Sequence, residues 1–176
     1  MLTGDPADAD AILPLAAAKA RIRVIEAEED ADITRMRLQA IDFVERYTSR
    51  ALNERGFQWV STHFINYWRL PIGPITTVDG INYYDSDDVD VAMDAADWYF
   101  GGGILQPRSG TIWPVTNGMA GSVRISFTAG FEDAETQAPM LVAAVELGIA
   151  ELFRNRERPD WSAVMAACDS YRDLLL

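Results

Sequence analysis

Cysteine is almost absent. Cys168 is the only one in 176 residues, which excludes an internal disulfide and any metal site built from several cysteines. It falls on the apolar side of a helix predicted near the C-terminus, where it reads as a small buried hydrophobe. Histidine is as scarce, with His63 alone. Without a second histidine or a Ser-bearing elbow, a catalytic triad or zinc site lacks its parts, and His63 reads as structural. No apolar run approaches the ~20 residues that span a bilayer. The opening MLTGDPADADAILPLAAAKARIRV has acid where a secretory signal needs base, so a cytosolic origin is expected. Positive charge is short too: 15 Lys and Arg face 27 Asp and Glu, a net −12. That balance excludes a nucleic-acid binder working by phosphate neutralisation. It leaves open a protein that lets DNA pass without sticking.

What is present is ordinary for a globular chain: 49% apolar and 24% charged residues, long enough for one domain with a real core. Residues 1–12 are rich in Asp and poor in large apolar groups, so they read as a flexible acidic arm. Pro14 suits the first turn of a helix over about 15–24, with Leu15, Ala18 and Ile22 on one face. The acidic run EAEEDAD complements the start of a second helix, about 30–54, whose stripe is Ile33, Met36, Ala40, Val44, Tyr47 and Ala51.

The period changes at Phe57. FQWVSTHFINYWRL reads as one long strand or a bent pair. TTVDGINYYD, WYF, ILQ, TIWP and SVRISFTAGF follow as short antiparallel strands joined by Gly, Pro and Asp turns. Helix returns over about 139–155, with Leu141, Ala144, Val145, Gly148, Leu152 and Phe153 inward. It returns again over about 160–173, capped by Asp160, with Trp161, Val164, Met165, Cys168 and Tyr171 on one side. The order lacks a βαβ rhythm. It predicts an α+β fold: a bundle of about four helices with a small antiparallel β-unit, about 57–129, inserted between the second and third.

Candidate chemistry is thin. Asp85, Asp87, Asp88 and Asp90 invite a calcium loop, but an EF-hand begun at Asp85 meets Val89, Asp90 and Ala96 where it needs an oxygen ligand, Gly and Glu. A solvated hairpin loop fits better. Gly101–Gly103 runs on into strand-like residues instead of a helix N-terminus or a P-loop lysine, so it reads as a turn. No carboxylate pair stands out for hydrolysis. No cofactor or metal is expected, and an enzyme, a small hydrolase using Asp85–Asp90, stays only as a remote alternative.

Two stretches carry more information. LPIGPITTVDGINYYD (70–85) leads a strand in through a rigid corner that could wall a pocket or brace contacts between subunits. SYRDLLL (170–176) ends the chain on an apolar tip that either caps its own core or docks into a partner.

Four segments, in order, resemble the head–tail connector (adaptor) family of long-tailed bacteriophages and phage-like gene transfer agents. LPLAAAKARIRV resembles its L-x-x-A-K-x-x-[LI]-R opening helix, and AIDFVERYTSRALNERGFQW its [VI]-E-x-Y-T-x-R-x-L helix end. RLPIGPITTVDGINYYD matches L-P-x-x-P-[VI]-x-x-V-x-x-I-x-Y-Y-D. VRISFTAGFEDAETQAPMLVAAVELGIAELFRNRE resembles its strand, A-G-[YF] turn, proline-capped helix and N-R-E ending. Two departures stand: the acidic arm is longer, and Asp169 and Ser170 precede Tyr171–Arg172 where members often end in a P-Y-R-like tail.

The resemblance implies residues 13–176 as a single connector domain and a non-enzymatic homo-oligomeric ring, expected twelve-fold, at the virion head–tail junction, made in the bacterial host cytoplasm. The ring would sit beneath the portal protein, extend the DNA channel without binding DNA specifically, and meet the next connector or a tail-terminator protein. No membrane is involved. Tyr171, Arg172, Leu174, Leu175 and Leu176 are then expected to dock on the portal. The corner reads as an inter-subunit brace through Pro71, Ile72, Pro74, Tyr83 and Tyr84. A tail-completion or tail-terminator ring is the alternative.

Overall fold

The structure, a computed structural model, describes residues 1–172. Strand β1 (Leu2–Gly4) is followed by helices α1 (Ala9–Ile12) and α2 (Leu15–Ile22), a 3-10 turn at Ala27–Glu29, and helix α3 (Asp30–Thr48). Strands β2 (Arg55–Ser61), β3 (Trp68–Arg69), β4 (Ile75–Tyr84), β5 (Asp90–Ala92), β6 (Trp98–Gly101), β7 (Ile104–Pro107) and β8 (Val123–Ala129) come next. Helices α4 (Ala134–Gln137), α5 (Pro139–Arg154) and α6 (Ser162–Cys168) close the fold, with a last 3-10 turn at Asp169–Tyr171. The α+β class holds. The chain divides into a β-unit (Met1–Asp5 with Arg55–Ala129) and a helical unit (Pro6–Glu54 with Gly130 onward).

The helical unit is built on α3 and α5. Ile33, Met36, Ala40, Ile41 and Val44 recur at helical spacing on α3 and are buried, as are Leu141, Val145, Gly148, Ile149 and Leu152 on α5. The two helices close on small residues: a Cβ added at Gly148 would lie 3.0 Å from Ala40 Cβ and 3.1 Å from the Trp161 ring. Pro139 opens α5 at a position where its missing N–H costs nothing. Just before it, Asp133 caps α4 by accepting from the Thr136 N–H (3.3 Å) and hydroxyl (2.6 Å). These bonds, the hydroxyl foremost, hold the Asp133 carboxyl below its ordinary 3.8.

Three expectations are corrected in this unit. Helix α3 stops at Thr48, not near 54, because Ser49 turns left-handed (φ 56°) and the Glu45 carboxylate accepts the Leu52 N–H at 2.7 Å in place of a helical carbonyl. The last helix is shorter than 160–173: seven residues of α6, then the 3-10 turn. The first twelve residues, expected as a flexible arm, hold β1 and α1. The acid that made them look solvated has structural work: Asp8 caps α1 (Asp10 N–H 3.0 Å, Ala11 N–H 3.2 Å), and Asp10 pairs at 2.6 Å with Arg37, which is 2% exposed. Ile12 and Leu13 behind them are buried. Among the described residues there are therefore six α-helices rather than about four.

The β-unit is larger than the small insert expected. One antiparallel sheet runs β1-β2-β8-β4-β5, and a second runs β3-β7-β6. Central β8 alternates perfectly, with Val123, Ile125, Phe127 and Ala129 inward. Phe127 faces Phe57 across the ladder, their rings stacked at 5.7 Å. Strand β1 lies flat beside them because Gly4 has no side chain; a Cβ there would strike the Phe57 ring at 2.3 Å. Gly101–Gly103 is the β6–β7 turn, with Gly102 and Gly103 at φ 60° and 77°, as a two-residue hairpin demands.

The 57–70 run is neither one strand nor a simple bend. It breaks after Ser61, and β2 and β3 join different sheets. His63, read as a strand residue, sits exposed in the intervening bend. The TIWP segment is also not a strand. Pro114 offers no N–H, and Ile112–Met119 cross without regular structure.

Candidate interaction surfaces

Three of the four hairpin-loop carboxylates, those of Asp85, Asp88 and Asp90, are already engaged. Asp85 accepts the Asp87 and Val89 N–H groups, both at 2.9 Å, closing a turn in which Asp88 takes φ 62°. Asn117 Nδ2 donates to Asp88 at 2.7 Å, and Asp90 pairs with Arg124 at 2.6 Å. These are hairpin contacts. Among the described residues, no group of three or more His, Cys, Asp or Glu side chains is placed to hold a metal ion. Cys168 is fully buried, and burial, with the Asp169 charge beside it, pushes its thiol from 9.0 up to about 11. That thiol is not a nucleophile at neutral pH.

The corner residues have divided fates. Gly73–Pro74 is a cis peptide. Ile72 is buried and serves the β-unit's own core, while Pro71, Pro74, Tyr83 and Tyr84 are half-buried. Strand alternation sends the two tyrosines to opposite faces of β4. Tyr83 meets Phe64 edge-on at 5.8 Å, and Phe64 stacks on Trp113 at 4.7 Å. Tyr84 carries the Arg124 guanidinium at 4.4 Å from its ring centre. The β4–β8 pairing carries two bulges, between Ile75 and Thr77 and between Val78 and Gly80, and Asp79 accepts from the Thr77 hydroxyl at 2.7 Å and from the Thr128 hydroxyl on β8 at 3.1 Å.

On the helical unit, the described part of the C-terminal segment is held against α3. Tyr47 donates its hydroxyl to Asp169 at 2.7 Å, and this bond raises the Tyr47 phenol above its ordinary value. Arg50 Nε donates to the Tyr171 carbonyl at 3.1 Å, and the Arg172 guanidinium lies 5.0 Å from the Tyr47 ring centre. Beside this anchor, Phe43 stacks on Trp161 at 4.1 Å, and a shallow groove of about 540 Å³ opens over Gln39, Phe43, Arg46, Tyr47 and Trp161. Leu174, Leu175 and Leu176 lie outside the described residues. The segment's backbone is thus positioned up to Arg172 by three separate contacts.

Sequence reasoning overlooked one surface altogether, the loop over residues 108–122. Its available signal was the run Ser109–Val123, which contains no Asp, Glu, Lys or Arg in a chain of net charge −12.

No family model matches the chain, and no curated protein does. Solved structures do. A chain in the neck of an empty gene transfer agent (GTA) particle, computed with C6 symmetry, matches with a TM-score of 0.83 and 26% identity. One in the virion of the native GTA particle matches with 0.83 and 28%. One in the neck of the native particle, computed with C12 symmetry, matches with 0.80 and 26%. Each match covers 100% of this chain and 97% of the other.

The likeness is to GTA neck proteins. It is consistent with the head–tail connector family that the four sequence segments resemble. The likeness to the neck proteins extends over both units, including β1 and α1, which the motif segments did not cover. Among the described residues, no helix is long and apolar enough to cross a membrane.

Proposed function

We propose that the chain is a structural protein of a virion neck: a head–tail connector that assembles into a ring beneath the portal, lengthens the DNA channel and gives the tail its platform. One observation carries this reading, the full-length likeness to chains of GTA particles, two of them from the neck, at TM-scores of 0.80–0.83 and 26–28% identity. The particles those chains come from were computed with sixfold and twelvefold symmetry, which supports a cyclic assembly of this chain, expected twelve-fold.

The physics is compatible. A closed ring needs two unlike faces that meet head to tail, and a β-unit and a helical unit in one chain supply unlike surfaces. A net charge of −12 keeps DNA phosphates from adhering, so a genome can slide through such a ring. The role is non-enzymatic, which agrees with carboxylates consumed by hairpin contacts and a buried, unreactive thiol. The C-terminal segment is the portal-docking element, with Tyr171 and Arg172 held against α3 and Leu174, Leu175 and Leu176 expected to share in the docking. Pro71, Pro74, Tyr83 and Tyr84 brace the inter-subunit side of the β-unit, and Ile72 backs them from the core.

The test is removal of Tyr171–Leu176. The truncated chain keeps its fold by circular dichroism and loses attachment to portal-bearing capsids. Unchanged attachment refutes the docking role. Cross-links from the last ten residues to a tail tube, with none to a portal, would replace the connector by a tail-terminator ring.

A further inference from the structure

The charge-free segments of the chain converge on one place. The two longest runs without Asp, Glu, Lys or Arg are Gly56–Trp68 and Ser109–Val123. The bend of the first and the irregular loop of the second together line an open groove of about 500 Å³ in the β-unit. Its floor is the aromatic stack of Phe64 on Trp113, with Tyr83 edge-on behind. Its rim is unusually bare. Ile112 is 86% exposed and Val115 79%, and Met119, Ile65 and Tyr67 are exposed nearby on the same two segments. A loop of this length without regular structure is uncommon in a compact domain unless it contacts something, and clustered exposed apolar side chains mark protein–protein surfaces.

We infer that this groove is where a second copy of the chain seats, making it one half of the side-to-side contact in the ring; the inference rests on the ring reading above. The choice of a second copy follows from charge. Two copies each carrying −12 repel over most of their surface, and like charges brought together at an interface cost several kcal/mol. Self-association therefore has to use a face without charge. This groove, lined by those two runs and Pro107, offers a face without Asp, Glu, Lys or Arg. The seated copy covers Ile112 and Val115.

The experiment places a photo-reactive benzoylphenylalanine at Val115 and lets the chain assemble into particles in a producing strain. The expected product on irradiation is a ladder of cross-linked multiples of this chain's own mass. In parallel, Ile112→Glu with Val115→Glu, at positions too exposed to disturb folding, is expected to lower incorporation into particles at least tenfold with an unchanged melting temperature. Ile25→Glu, equally exposed on the helical unit (88%), serves as control and incorporates normally. Particles that contain the chain but yield cross-links to a different protein, or none, overturn this inference while leaving the connector reading intact. Absence of the chain from particles overturns both.

Discussion

Among the described residues, the helical unit leaves three large apolar side chains in the open: Ile25, Leu38 and Met140. The β-unit leaves Met1, Ile65, Tyr67, Val89, Tyr99, Ile112, Val115 and Met119. The contrast has a physical source. In the helical unit, α3 and α5 each bury a stripe that a partner helix covers, and the small residues Ala40 and Gly148 let them close on it. In the β-unit, five strands share a single well-covered row, Val123, Ile125, Phe127 and Ala129 on β8 with Phe57 and Ile81 beside it. Trp68 and Leu105 on the three-stranded sheet, with Leu70 and Ile72 just after β3, are buried as well, while the exposed apolar side chains sit on loops, short strands and the N-terminus. One unit covers its own apolar stripes, and the other leaves more of its apolar side chains in the open.

The sharpest way to break that comparison is to hollow the β-unit's one row. Phe127→Ala removes a fully buried ring stacked on Phe57, and a buried Phe→Ala change costs about 3–5 kcal/mol. Amide exchange should then accelerate across β2, β4 and β8 while α3 and α5 stay protected. Equal acceleration in both units would show that they unfold as one.

Next in size is the helical counterpart. Gly148→Leu forces a side chain into a space where even a Cβ meets Ala40 at 3.0 Å and Trp161 at 3.1 Å, and overpacking of this kind costs about 1–3 kcal/mol. Thermal unfolding measures it. Gly148→Ala is the graded control, and its destabilisation should be smaller.

The same two regions explain what could be read from the sequence. Helical periodicity survives burial on one face, so Ile33, Met36, Ala40 and Val44, and Leu141, Val145 and Leu152, were legible as core in advance. Helix ends were less so, since the Glu45 carboxylate that replaces helical bonding after Thr48 leaves no periodic trace. The strand signal in β8 and β4 was clear. The partition of 57–70 between two sheets was not, because sheet membership depends on pairing partners far along the chain. The N-terminal arm misled for a related reason. Composition counts Asp8 and Asp10 as solvated, whereas a cap and an ion pair to Arg37 use both. Of the candidate surfaces, the corner was legible from its prolines. The Trp113 groove was hidden because neither of its two segments is regular.

A smaller perturbation tests whether local caps matter to the helical unit. Asp133 is held below 3.8 by bonds from Thr136 that exist only in the folded chain. Its folded value is the lower one, so its contribution is complete above the unfolded value. It fades as pH falls through the folded value. Asp133→Ala should lower the melting temperature at pH 7 by less than Gly148→Leu does. The difference from wild type should shrink as the pH is taken well below 3.8. A gap that persists at low pH would mean that the side chain stabilises by packing and not by its charge.

The last probe changes no residue and should change no stability. Cys168 lies in the helical unit, buried, with its thiol pushed up to about 11. At any pH below 9 the folded chain then holds roughly a hundredfold less thiolate than an ordinary cysteine with a value of 9.0. Labelling by a disulfide reagent at pH 8 should therefore be slow in the native protein and fast in denaturant, so that the native rate reports opening of α6 from the helical core. In Phe127→Ala the rate should stay at the wild-type value if the damage is confined to the β-unit. In Gly148→Leu it should rise, because that substitution forces a side chain against Ala40 and the Trp161 ring in the core cluster to which Cys168 also belongs. A rise in both variants would mean that the helical unit depends on the β-unit for its closure.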